Sequence, residues 1–153
     1  MGYTIRTERV KGTSIAVVRR RARQSELSRV VPEACGVVWK AIKAAGVKGG
    51  RLVAVYRHAD GGQFDVEIGA EVDTEFPGSG EVVASMLPGG EVAATTLFGP
   101  YDRLGEVHKA VQDWCAANGR TAVEPCWELY GHWVEEWNRD PSKIRTDVYY
   151  LIR

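Results

Sequence analysis

Cys126-Trp127-Glu128-Leu129-Tyr130 sets one carboxylate between two pairs of apolar and aromatic side chains. Read as a strand, the run puts Glu128 and Tyr130 on one face and Trp127 and Leu129 on the other. An unpaired buried carboxylate costs several kcal/mol or is driven to protonate. A chain that keeps such a group among aromatic rings has a use for it. It is the acidic floor of a pocket for a cation, or a general base beside a reactive guest. The alternative is an edge strand with Glu128 in water.

Other residues join Glu128 as candidates. Glu67 occupies a comparable hairpin in the first half and is a second candidate carboxylate. Tyr56 and Tyr130 fall ten and eleven residues beyond Gly46 and Gly119, which end the two expected helices, and are candidate cleft walls. Trp39 borders the apolar stripe of the first helix. Tyr101 follows Gly99-Pro100 and is a candidate wall or a brace for the second helix. Trp133 and Trp137 flank an acidic stretch and are a candidate rim. Of Tyr149 and Tyr150, which point to opposite faces of a strand, Tyr149 is the choice for the cleft. His108, on an apolar helix stripe, reads as a hydrogen-bonded core histidine, and Trp114 and Trp127 read as core.

The elements that must position these residues follow in order. Tyr3 to Val10 and Ser14 to Val18 read as strands, followed by the basic stretch Arg19-Arg20-Arg21 and Arg23. Pro32 suits the first turn of a helix whose stripe is Cys35, Val38, Ile42 and Ala45, stopping at Gly46. Arg51 to His58 and Phe64 to Val72 form a hairpin around Asp60-Gly61-Gly62. The best internal boundary is residues 75–80. The pattern then restarts, with strands over 82–87 and 91–98 and Asp102 as the N-cap of a second helix. That helix carries Leu104, Val107, His108, Val111, Trp114 and Cys115 on one face. Trp127 to Val134 and Ile144 to Ile152 are the last strands. The order is strand, strand, helix, strand, strand, twice over. The expected architecture is α+β: one domain over 1–153 made of two repeats, about 1–76 and 80–153, with antiparallel sheet and a ligand cleft between the halves.

Composition narrows the function. The 153 residues carry 20 Lys/Arg and 20 Asp/Glu, so no bulk attraction to nucleic acid is expected. The distribution is uneven: residues 1–58 hold 13 basic against 3 acidic side chains. Without interleaved aromatics the arginine cluster reads as a solvated strand end and not as a nucleic-acid surface. Three scattered cysteines and three scattered histidines suit reduced thiols in a cytoplasmic protein and exclude a zinc motif. The N-terminal residues lack the apolar core expected of a secretory signal, and no apolar run approaches transmembrane length. No cofactor fingerprint and no nucleophilic triad is present.

Several motifs together resemble a known family. They are Leu87-Pro88-Gly89-Gly90-Glu91-Val92-Ala93, Phe98-Gly99-Pro100-Tyr101, Trp114, Trp127-Glu128-Leu129-Tyr130 and Arg145-Thr146-Asp147-Val148. In order and spacing they resemble the GyrI-like small-molecule-binding family, also called the AraC effector-binding domain family. The resemblance implies a duplicated β-α-β-β fold with pseudo-twofold symmetry and a cleft between the halves. In the family's multidrug-binding regulators a glutamate at the position of Glu128 meets lipophilic cations inside an aromatic cage. The absence of a helix-turn-helix before Tyr3 implies a stand-alone binding protein for cationic aromatic compounds, a toxin-resistance role in which no DNA is touched directly. Other stand-alone relatives imply a hydrolase of cyclopropane-bearing cytotoxins working through the same glutamate. The founding member's link to gyrase implies a third possibility, a protein-interaction module.

Overall fold

The structure, a computed structural model, describes residues 3–132 and 134–153. Eight strands and three helices are found among them. The first five elements are β1 (Arg6–Val10), β2 (Thr13–Arg23), α1 (Leu27–Ala45), β3 (Gly49–His58) and β4 (Gln63–Val72). Then come β5 (Val83–Leu87), β6 (Gly90–Phe98), α2 (Leu104–Ala117), β7 (Ala122–Tyr130), a short α3 (Glu136–Arg139) and β8 (Arg145–Ile152). All strand pairs described are antiparallel, so the fold is α+β with two main helices. No helix among the described residues is long and apolar enough to cross a membrane.

The chain divides into two compact units. One runs from Lys11 to Gly89, with strand order β3-β4-β2-β5 and α1 packed on β2, β3 and β4. The other joins the segment ending at Val10 to Gly90–Arg153, with strand order β1-β6-β8-β7 and α2 packed on β6 and β8. The sequence repeat and the units therefore do not share boundaries. The opening strand of each repeat pairs in the other unit: β1 lies on β6, with Arg6 opposite Ala94 and Val10 opposite Gly90. β5 lies on β2, with Thr13 opposite Leu87 and Val17 opposite Val83. The division expected at residues 75–80 is thus replaced by an exchange of edge strands, which no local pattern encodes.

In the Lys11–Gly89 unit, β2 continues through the arginines expected to be a strand end and loop. Their partners lie across the ladder: Arg19 is in register with Glu67 and Arg21 with Asp65. Arg19 Nε donates to Glu67 Oε2 at 3.0 Å, and Arg21 donates to both Asp65 oxygens at 2.9 and 3.2 Å. The hydrogen bonds from Arg21 hold the Asp65 carboxyl below the usual carboxylate range. Opposite charges directly across a strand pair favour that register. Gly69 marks the closest approach of β2 and β4, since a Cβ there would fall 1.8 Å from the Ala16 carbonyl oxygen.

α1 begins at Leu27, a turn earlier than Pro32 indicates, and Pro32 sits inside it. The chain enters through a 3-10 turn over Gln24–Glu26, where Glu26 accepts from the Arg23 backbone N–H at 2.8 Å. Gly46 closes the helix in the left-handed conformation with φ 69°.

In the second unit α2 buries Val107, Val111 and Cys115 on Ala93, Leu97, Val148, Tyr150 and Ile152. Each fully buried valine contributes roughly 1.5–3 kcal/mol. Asp102 is not the N-cap; it lies in a 3-10 turn over Tyr101–Arg103 that leads into the helix, and Arg103 takes the cap position. β7 starts at Ala122 and ends at Tyr130, five residues earlier than expected at its start and four at its end. A bulge at Glu124 and Pro125 shifts its pairing with β8 from Val123–Leu151 to Cys126–Tyr150. A proline, having no N–H for the ladder, suits that place.

Candidate functional site

The bulge sets the register of β7 against β8. Beyond it Cys126 lies opposite Tyr150, Glu128 opposite Val148 and Tyr130 opposite Thr146. Residues directly paired across an antiparallel ladder share a face, and Val148 and Tyr150 belong to the core under α2. Glu128 and Tyr130 therefore point toward α2, while Trp127 and Leu129 point away, the alternation the sequence indicates.

Glu128 is withheld from water, with 4% of its surface exposed. It is not unpaired. Tyr130 donates its hydroxyl to Oε1 at 2.5 Å, and His108 Nε2 lies 2.6 Å from Oε2. The other ring nitrogen of His108, Nδ1, is 2.7 Å from the Tyr150 hydroxyl, which also accepts from Gln112 Nε2 at 3.1 Å. One continuous network thus runs from Gln112 and His108 on α2, through Tyr150 on β8, to Glu128 and Tyr130 on β7. Tyr101 meets the ring of Tyr130 edge-on, with centroids 5.8 Å apart.

The electrostatics follow from this packing. Burial by itself pushes the His108 imidazole down. Hydrogen bonds to Cys126 and Glu128, together with the charge of Glu128, outweigh it and raise the group to about 9. At neutral pH His108 is an imidazolium facing a carboxylate. Burial above all, with Cys126 and Glu128 adding to it, pushes the Tyr150 phenol well up, so it keeps its proton. A buried pair of this kind is costly to break from one side, about 3–5 kcal/mol, because the survivor is left uncompensated.

The remaining candidates fall in several places. Glu67 lies in the Lys11–Gly89 unit, and its partners among the described residues are polar, not aromatic: Arg19 donates to one oxygen and Ser85 to the other at 2.9 Å, with Arg57 3.9 Å away. The expectation of a second cage carboxylate is corrected by those arginines, which the sequence holds 48 and 10 positions away. Glu67→Gln is expected to cost no more than about 1 kcal/mol in a denaturant melt, because Arg19 and Arg57 stand largely in water. Tyr56 is buried edge-on against Phe64 at 6.0 Å. Trp39 is 38% exposed and lies over Gly49. Trp137 is in α3, with its ring against Gly131. Trp133 lies outside the described residues.

Tyr149 is corrected in favour of its neighbour. It pairs in register with Trp127 and stacks on that ring at 5.5 Å, on the face away from Glu128. Tyr150 is the tyrosine that shares the Glu128 face. His108, Gln112 and Tyr150 are the network members absent from the sequence candidates. The sequence signals for them are the apolar stripe that carries His108, the alternation that sets Tyr150 against Tyr149, and the spacing of His108 and Gln112, four residues apart and hence on one helix face.

A family model for the GyrI-like small molecule binding domain matches residues 3–153. The chain belongs to the GyrI-like family. The small-molecule-binding fold expected from the motifs is therefore that of this GyrI-like domain as a whole. Among curated proteins none matches. Among solved structures, the EcmrR C-terminal domain superposes with a TM-score of 0.82 at 19% identity, covering 100% of this chain and 99% of that one. The chain spans only 57% of the EcmrR chain in its DNA complex, while 99% of this chain is covered, with a TM-score of 0.81 and 18% identity. SAV2435, solved bound to tetraphenylphosphonium, matches with a TM-score of 0.70 at 9% identity over 98% of this chain and 94% of its own. A hydrolase encoded by lin2189 from Listeria innocua matches with a TM-score of 0.63 at 9% identity over 99% and 93%. At these identities the likeness of the GyrI-like domain to each structure is one of fold.

Proposed function

We propose that this GyrI-like domain binds amphipathic, cationic aromatic small molecules, with Glu128 as their counter-charge and Tyr130 and Tyr101 as aromatic wall. The observation that carries the reading is a carboxylate 4% exposed and held in place by Tyr130 and His108. A cation over an aromatic face gains roughly 0.5–2 kcal/mol, and a buried carboxylate adds charge pairing where water does not screen it. SAV2435, of similar fold, has been solved with such a cation. The test is a fluorescence titration with rhodamine 6G, displaced by tetraphenylphosphonium. Saturable binding near the micromolar range supports the reading; no saturation at solubility-limited concentrations overturns it.

A second reading uses the same pair for hydrolysis, and the His108–Glu128 contact favours it. Glu128 takes a proton from a water molecule as its oxygen bonds to a strained ring carbon. The ring C–C bond breaks, its electron pair stays on the departing carbon, and that carbon takes the proton back from Glu128, for a net addition of one water. His108, protonated at neutral pH, fixes the carboxylate in position. Mass spectrometry of a cyclopropane-bearing toxin after incubation separates the readings: a product heavier by one water supports hydrolysis, and intact toxin bound stoichiometrically supports sequestration.

A further inference from the structure

Thr146 is fully buried, and among the described residues its hydroxyl oxygen has no hydrogen-bond partner. It lies on β8 directly opposite Tyr130 of β7 and Leu97 of β6. It therefore shares the face of Glu128, directly across the ladder from the tyrosine that serves the carboxylate. Tyr130, across the ladder, is not its partner: that hydroxyl is turned to Glu128. A buried hydroxyl left unpaired destabilises the fold, and valine fills the same volume without that penalty. Its neighbours on β8 show the contrast: Val148 is apolar at the next position on this face, and the Tyr150 hydroxyl beyond it is bonded to His108 and Gln112.

We propose that Thr146 is a specificity-determining residue of the Glu128 site, whose hydroxyl donates to an acceptor oxygen carried by the aromatic guest. The proposal rests on the binding reading above and narrows it. The preferred guest is a cationic aromatic compound that also bears a carbonyl or ether oxygen at some distance from its charge. Glu128 answers the charge, and Thr146 answers the oxygen. A guest without such an oxygen leaves Thr146 as it stands in the unliganded protein.

The experiment compares two permanent cations on three proteins. Rhodamine 6G carries ester and ring oxygens, whereas tetraphenylphosphonium carries none. Wild type, Thr146→Val and Thr146→Ser are titrated with each, and the unliganded melting temperatures are recorded. Expected is a loss of about 3- to 10-fold in rhodamine affinity for Thr146→Val, the worth of one hydrogen bond. Tetraphenylphosphonium affinity stays within about twofold, Thr146→Ser keeps rhodamine binding, and the unliganded valine variant melts at or above wild type. Equal losses for both cations would show a packing role and overturn the proposal. So would unchanged rhodamine binding in the valine variant, the result expected if the hydroxyl holds only a buried water. Failure of the wild type to bind either cation would instead defeat the binding reading itself.

Discussion

Glu128→Gln is expected to weaken tetraphenylphosphonium binding at least tenfold. The amide has the volume of the carboxylate and keeps an oxygen to accept from Tyr130, so the packing and the 2.5 Å contact are retained. What disappears is the charge. Two unit charges about 4 Å apart interact by roughly 4 kcal/mol at an effective dielectric of about 20. His108 already spends part of that on the carboxylate. A residual of 1.4 kcal/mol, a third of the full value, is one factor of ten. Isothermal titration of both proteins measures it. A neutral guest of similar shape, triphenylphosphine oxide, is the control: its affinity should move by less than about threefold, because packing is unchanged. A loss of equal size for the neutral compound, or less than a twofold loss for the cation, would show that Glu128 is not the counter-charge. The substitution also removes one of the two partners that raise His108, leaving Cys126 alone against the burial that lowers it.

The parts of this molecule that were legible in the sequence are those written in local periodicity. Alternation places Glu128 and Tyr130 together and Trp127 apart, and β7 agrees. The spacing of Val107, Val111 and Cys115 gives α2 and its buried face. Gly46 and the hairpin turn at residues 60–62 mark chain reversals by their backbone freedom. What escaped were pairings between distant residues. Arg19 and Arg21 read as a solvated end because Glu67 and Asp65 stand 48 and 44 positions later. The exchange of β1 and β5 between units leaves no trace in either strand's pattern, since an edge strand reads the same whichever sheet it joins. His108 was legible as a hydrogen-bonded histidine on an apolar stripe. Its partner Glu128 lies 20 residues on, across a helix end and a bulge, so the two readings could not be joined. Tyr149 and Tyr150 are a one-residue choice of face, and the choice is settled by the register of β8 against β7, a pairing between distant residues that periodicity alone does not reveal.

The joined pair makes cation binding depend on pH in a direction opposite to stability. A cation approaching Glu128 competes with the imidazolium of His108, so binding is favoured when His108 gives up its proton. The network accepts that loss with no heavy-atom movement. With His108 neutral, Nε2–H still donates to Glu128, and the Tyr150 hydroxyl turns to donate to Nδ1 while continuing to accept from Gln112. Tyr150 can do so because its own proton is held far above this range. The groups facing His108 are thus Glu128 and Cys126 from β7 and Tyr150 from β8, with Gln112 beside it on α2. Affinity for tetraphenylphosphonium, whose charge is fixed, should rise from pH 7 to 9 by up to about tenfold per unit and level off above 9. Stability runs the other way. The imidazole is raised from 6.5 to about 9 in the folded protein. Its contribution is complete below pH 6.5 and is lost as pH climbs through 9, by about 3 kcal/mol in all. Denaturant melts of the unliganded protein should therefore weaken over the interval in which the cation binds more tightly. In His108→Gln both slopes flatten, because glutamine still donates to Glu128 and titrates nowhere in that interval. Affinity that falls with rising pH, or a slope surviving in the glutamine variant, would place the proton on some other group.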